Sequence, residues 1–211
     1  MRIRITFAKN EAMRFTSHLD LHRTWERTFR RAGLPLAYTQ GFNPHPRINL
    51  AAALPLGFTG SRELVDVHLE QELPLEEVAA ALRQAAPPGI EVLQLEEVPP
   101  GQPALQKSLT ASEYLLTFLD PLPDLESRLQ QLLDAPSLPR ERRGKSYDLR
   151  PLIHSVAPLE PDESGCQRLR LQLSSREGAT GRPEEVVHAL GGDPLAARVH
   201  RSRLIFQPEA E

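Results

Sequence analysis

Cysteine is almost missing from this chain of 211 residues, with Cys166 the single one. A lone thiol excludes an internal disulfide, a cysteine-only zinc cage and a self-contained iron–sulfur cluster. No run of about 18 apolar residues occurs, which excludes a membrane-spanning helix. The first residues, Met1-Arg2-Ile3-Arg4-Ile5-Thr6-Phe7, alternate polar with apolar and lack the apolar centre of a secretion signal. These absences make the cytoplasm the expected location and a membrane an excluded partner. Nothing has the spacing of a P-loop, a GxGxxG turn, a GxSxG elbow or paired zinc ligands. What remains, 40% hydrophobic and 25% charged residues, describes a globular protein with room for two domains of about 100 residues.

The net charge of -3 conceals segregation. Residues 1–50 hold nine basic and three acidic side chains, a balance of +6, whereas residues 51–106 stand at -7. Such asymmetry points to a face built for an anion, or to the basic third docking on the acidic one.

Alternation of Ile3, Ile5 and Phe7 predicts a strand over Arg2–Ala8. Ser17 with Asp20 three residues on predicts a helix start, and Gly33 with Pro35 its stop. On that helix Leu21, Trp25, Phe29 and Ala32 share one side, with Arg23, Arg27 and Arg30 nearly opposite and Arg31 alongside. Strands are predicted at Leu34–Gln40, Arg62–Glu70 and Ile90–Val98, with a helix opened by Pro74 and an extra strand within Ile48–Leu56. After a Pro/Gly-rich linker the order recurs: strand Glu113–Leu119, a Leu-rich helix, strands Tyr147–Ile153 and Arg168–Leu173, helix Pro183–Leu190 and strand Arg198–Phe206. The pattern E-E-V-x-x-A-L opens both second helices, at Glu76 and Glu184. The expected fold is α+β, two tandem ferredoxin-like (βαββαβ) units with antiparallel sheets. They span residues 1–98, with an inserted 41–60 loop, and 108–207, joined by a linker at 99–107.

Chemistry concentrates in Tyr38-Thr39-Gln40-Gly41-Phe42-Asn43-Pro44-His45-Pro46-Arg47. Two prolines stiffen this loop, and Tyr38, Gln40, Phe42, Asn43 and His45 offer stacking and hydrogen-bonding groups suited to a nucleobase. The competing reading is a merely structural corner anchored by Phe42. Arg14, Arg23, Arg27, Arg30, Arg31 and Arg47 suit phosphates, against the plainer reading of a solvated helix face with Glu26 paired to Arg30. Arg142, Arg143 and Lys145 around Gly144 predict a basic hairpin able to track a phosphate backbone, or a charged turn with no partner. Asp148 and Arg150 suggest an ion pair. His18 and His22 have i, i+4 spacing, yet no glutamate joins them and His18 falls on the buried side, so no metal site is expected.

The strings Arg14-Phe15-Thr16-Ser17-His18-Leu19-Asp20-Leu21, Arg30-Arg31-Ala32-Gly33-Leu34-Pro35, Gln40-Gly41-Phe42-Asn43-Pro44-His45-Pro46, Leu54-Pro55-Leu56-Gly57 and Tyr147-Asp148-Leu149-Arg150-Pro151 carry a resemblance over nearly the whole chain. It resembles the stand-alone form of the radical-SAM-linked family of unknown function. That resemblance implies a B12-binding-like radical SAM enzyme as partner. With one cysteine here, an iron–sulfur cluster and S-adenosylmethionine enter only through that partner; no cofactor is expected on this chain. The leading expectation is a non-catalytic RNA-binding or substrate-presenting accessory protein, its two units flanking a groove. Two alternatives stay open: an RNA-processing or RNA-modifying enzyme using His45 as general acid or base, and a protein–protein adaptor without nucleic acid.

Overall fold

The computed structural model describes residues 1–142 and 144–207, which form two compact units, Met1–Ser108 and the residues from Leu109 onward. The first runs β1 (Arg2–Lys9), α1 (His18–Arg31), β2 (Ile48–Leu50), β3 (Phe58–His68), α2 (Leu75–Ala85) and β4 (Ile90–Glu97), then one short turn, α3 (Leu105–Ser108). Its strands lie in the order β2-β3-β1-β4, every neighbour antiparallel.

Alternation in β1 sends Ile3, Ile5 and Phe7 fully into the core, where α1 meets them with Leu21, Trp25 and Phe29. Trp25 sits edge-on to Phe7 (centroids 4.8 Å) and stacked on Phe29 (5.2 Å). Such aromatic pairs add to the area that three buried rings remove from water. α1 begins as its sequence predicts, with the Ser17 hydroxyl oxygen accepting from the Asp20 N–H (3.2 Å). It ends at Gly33, whose φ of 68° lets the Leu34 N–H turn back to the Phe29 carbonyl (3.2 Å).

The second unit runs β5 (Leu109–Phe118), α4 (Leu125–Asp134), β6 (Pro139–Arg142), β7 (Lys145–Asp148), β8 (Ile153–Leu159), β9 (Arg168–Arg176), β10 (Ala179–Thr180), α5 (Pro183–Ala189) and β11 (Ala197–Phe206). Its main strands lie in the order β8-β9-β5-β11, again all antiparallel, with β10 extending the β8 side of β9. β6 and β7 pair only with each other. Both units are therefore α+β with antiparallel sheets and the same order of strands, and the E-E-V helices α2 and α5 occupy equivalent places.

Two predicted strands are displaced. Leu34–Gln40 makes only single bridges, Leu36 to Leu69 and Tyr38 to Pro46, because the prolines at 35, 44 and 46 offer no N–H to a ladder. The short Ile48–Leu50 takes the pairing place on β3 instead. Tyr147 belongs to the β6–β7 hairpin, and the strand beside β9 begins at Ile153. Residues 99–107 are also tied to the first unit rather than loose: Arg2 Nη1 donates to the Gln102 carbonyl (2.8 Å), Leu105 is buried, and Gln106 Nε2 donates to the Leu50 carbonyl.

Candidate nucleic-acid interface

Between α1 and β2 the chain forms a narrow finger. The Thr39 N–H donates to the His45 carbonyl (2.9 Å) and the His45 N–H returns to Thr39 Oγ1 (3.0 Å), closing residues 40–44 into a tip. Gly41 holds φ at 128°, a backbone that other residues rarely adopt. Phe42 stands fully in solvent, Tyr38 is 41% exposed on the stem, and Gln40, Asn43 and His45 are exposed as well. A triangle of backbone bonds roots the stem: Arg47 N–H to Ala37 O (2.8 Å), His68 N–H to Arg47 O (3.0 Å) and Ala37 N–H to His68 O (2.9 Å). Burial and the charges of Arg47 and Arg2 hold the His68 imidazole below its ordinary value.

The basic surplus of the first fifty residues is largely consumed within its own unit. Asp66, fully buried, receives both Arg2 and Arg4 (Nε to Oδ at 2.9 and 3.0 Å), and Arg4 also approaches Glu96 (3.7 Å). Lys9 is buried, its Nζ donating to the carbonyls of Arg14, Thr16 and Phe58 (3.3, 3.0 and 2.9 Å). Arg14 faces Glu11 (3.8 Å), Arg23 faces Asp20 (3.4 Å) and Arg30 faces Glu26 (2.7 Å). Of the nine basic residues in the first fifty, Arg27, Arg31 and Arg47 are the exposed ones with no ion pair among the described residues. A charge count along a sequence window cannot see pairs made across a sheet. The surface pairs at Arg23 and Arg30 are worth only about 0.3–0.5 kcal/mol each, so a phosphate can displace them; the Asp66 cluster, desolvated, cannot be recruited in that way.

In the second unit Arg142 pairs opposite Lys145 at an exposed hairpin end. Arg143, the third basic residue expected there, lies outside the described residues. The anticipated Asp148–Arg150 ion pair is replaced by backbone contacts. Asp148 Oδ1 accepts from the N–H groups of Leu138 (2.7 Å) and Arg150 (2.9 Å), which hold its carboxyl below the usual range. The Arg150 guanidinium goes instead to the Leu133 carbonyl (3.0 Å). Opposite Arg140, Tyr147 has its phenol pushed up by burial and by Glu185, and Arg140 itself lies 3.6 Å from Glu185.

Residues 2–183 match the model of a family described as an uncharacterized protein conserved in bacteria (DUF2344). The chain belongs to that family. No curated protein matches it. Among solved structures it is similar to the crystal structure of a Cbf5-Nop10-Gar1 complex, at TM-score 0.51 and 11% identity over 96% of this chain and 48% of that one. It is also similar to a structure of an H/ACA RNP bound to a substrate RNA containing 2'-deoxyuridine, at TM-score 0.47 and 11% identity over 95% of this chain and 47% of that one. The DUF2344 chain thus spans about half the length of those chains. At such identity the first likeness is one of fold.

No helix among the described residues of this DUF2344 chain is long and apolar enough to cross a membrane, and no group of three His, Cys, Asp or Glu side chains among them is placed to hold a metal. Sequence reasoning passed over Phe15, Leu19 and Leu56, all large, apolar and more than half exposed. The available signal was their position: Phe15 precedes the α1 cap and Leu19 lies off its buried stripe, so neither has a core place to fill.

Proposed function

We propose that this chain is a non-catalytic RNA-binding, substrate-presenting accessory protein to a B12-binding-like radical SAM enzyme, built as two tandem ferredoxin-like units. The β2-β3-β1-β4 and β8-β9-β5-β11 orders, each a split βαβ pair, support the ferredoxin-like reading. The radical SAM partner follows from the motif resemblance; it supplies the cluster and S-adenosylmethionine, and cytoplasmic location follows with it.

The observation that carries the RNA reading is the finger, a braced stem with a fully exposed phenylalanine at its tip. Solvating an aromatic ring on a rigid loop is unfavourable by itself, and the arrangement becomes useful when a flat ligand covers the ring. Tyr38 and Phe42 stack, the amides of Gln40 and Asn43 meet base edges, and Arg27, Arg31 and Arg47 meet phosphates. Fluorescence anisotropy with labelled RNA across a salt series tests this. Three phosphate contacts give a log–log slope of about -2 on a single strand, and Arg27→Ala with Arg31→Ala flattens it by about 1.4. Absence of binding at low salt removes the RNA part. Nuclease-resistant co-purification with the radical SAM enzyme would then leave the adaptor reading.

A further inference from the structure

We propose that Phe15 is a second nucleobase-stacking platform, which makes the ligand of the first unit an unpaired stretch of RNA; this rests on the RNA reading above. Phe15 is 75% exposed although the backbone around it is tied at several points. Both flanking carbonyls, those of Arg14 and Thr16, accept from the buried Lys9 ammonium. The Arg14 carbonyl also accepts from the Gly57 N–H (2.9 Å), and Arg14 Nε returns to the Gly57 carbonyl (3.0 Å). Just upstream the Asn10 N–H donates to the Gly89 carbonyl (2.8 Å), and Gly89 lies so close to the Glu11–Met13 turn that a Cβ there would meet Met13 atoms at 2.6 and 2.8 Å. A segment held this tightly does not leave a large ring in water for want of a way to bury it.

The guanidinium of Arg14 lies 5.2 Å from the Phe15 ring centroid. It backs the ring with a cation and leaves the remaining ring surface open to a flat partner. Leu19, the second residue of α1, and Leu56, next to the Gly57 that bonds Arg14, are exposed apolar side chains of the same unit. The large exposed rings among the described residues are Phe15, Tyr38 and Phe42, all in the first unit, which also carries the unpaired Arg27, Arg31 and Arg47. Phe7, Trp25, Phe29, Phe58, Tyr114 and Phe118 are buried. Exposed aromatic rings on a unit that also carries unneutralised guanidinium groups suit a ligand that offers flat faces and negative charge together. A base inside a duplex already has both faces covered by its neighbours, so a side-chain platform takes only a base released from the stack. Two separate platforms ask for at least two such bases.

The experiment uses the full chain, a 12-nucleotide single-stranded RNA carrying 2-aminopurine, and the same strand annealed to its complement. Wild type is expected to prefer the single strand at least tenfold and to change 2-aminopurine fluorescence on binding. Phe15→Ala is expected to weaken single-strand affinity by about 5- to 150-fold, and Phe15→Tyr to retain it within about twofold. Trp25 emission and the thermal midpoint report that each variant folds, which the exposure of Phe15 favours. Unchanged affinity in Phe15→Ala, alongside weakening by Arg27→Ala with Arg31→Ala, overturns the platform and leaves the RNA reading intact. Equal affinity for the duplex overturns it as well. So does self-association that Phe15→Ala abolishes while RNA binding persists, which assigns the surface to a second copy. No RNA binding by wild type at low salt overturns both readings.

Discussion

Each unit carries an excursion at the same topological point, between its first helix and the strand that follows it: the finger at 38–46 and the β6–β7 hairpin at Pro139–Asp148. The frame is repeated and the chemistry is not. The finger is low in charge, stiffened by Pro44 and Pro46, and shows rings and amides to solvent. The hairpin is a regular two-stranded ribbon whose side chains are mainly Arg140, Glu141, Arg142 and Lys145, and part of that charge turns back to Glu185 on α5. An antiparallel sheet fixes where a crossover leaves and returns, so length added there disturbs little of the core. What the excursion meets is then set by its own residues. In this protein one excursion exposes rings and amides and the other exposes charge.

The contrast breaks most severely at Lys9. It continues the inward series Ile3, Ile5 and Phe7, and its ammonium is the buried donor for three carbonyls that shape the corner below Phe15. Hydrogen bonds from a charged donor contribute about 1.5–3 kcal/mol each, and stranded carbonyls carry a further cost. Lys9→Met is expected to destabilise the first unit by about 3 kcal/mol or more. Trp25, the single tryptophan, reports that unit alone, so urea unfolding followed by its emission should shift to lower midpoint. A Trp25 midpoint equal to wild type would show that the lysine is dispensable and that Phe15 is held by the remaining backbone bonds.

Lys9 also marks where the sequence stops being readable. Period-two and helical patterns placed β1, α1, α2, β4, β9 and β11 within a few residues, because the burial that orders them is local in sequence. Leu34–Gln40 looked like a strand since its residues favour one; the pairing place went to Ile48–Leu50 through contacts that no local pattern encodes. The same limit governs the site. The loop at 38–47 was legible from its prolines and rings. The consumption of Arg2 and Arg4 by Asp66 was not, since 64 and 62 residues separate the partners. Nor was the burial of Lys9, because a lysine at a strand end ordinarily reads as solvated.

A smaller effect sharpens the comparison by chemistry. Phe42→Ala is expected to cost RNA affinity by about 1–3 kcal/mol, nearly independent of salt, with stability unchanged because the ring touches water all round. Arg142→Ala with Lys145→Ala is expected to act oppositely. Affinity falls modestly and uniformly across sequences, and the salt slope shrinks by about 0.7 for each phosphate that is no longer neutralised. Binding isotherms at several salt concentrations separate the two. If Phe42→Ala alters the slope while the hairpin variant does not, the division of labour between the excursions is reversed.

The weakest handle is pH, and it distinguishes the two roots. The finger is rooted at His68, whose imidazole is held below 6.5 by burial and by Arg47 and Arg2. The unfolded chain therefore takes up that proton first as pH falls, so the stability is present above about 6.5 and is lost below it. The hairpin is rooted at Asp148, held below 3.8 by two backbone N–H donors, so its contribution is present above about 3.8 and disappears only in stronger acid. Between pH 7 and 5, His68→Gln should flatten the fall in urea midpoint, by a fraction of the roughly 1.4 kcal/mol per pH unit that a full proton difference carries. Asp148→Asn should leave that window as it was and remove a loss below about pH 4. An unchanged pH 7-to-5 slope in His68→Gln would mean that protonation there is absorbed without strain, and that the finger's root is held by its backbone triangle alone.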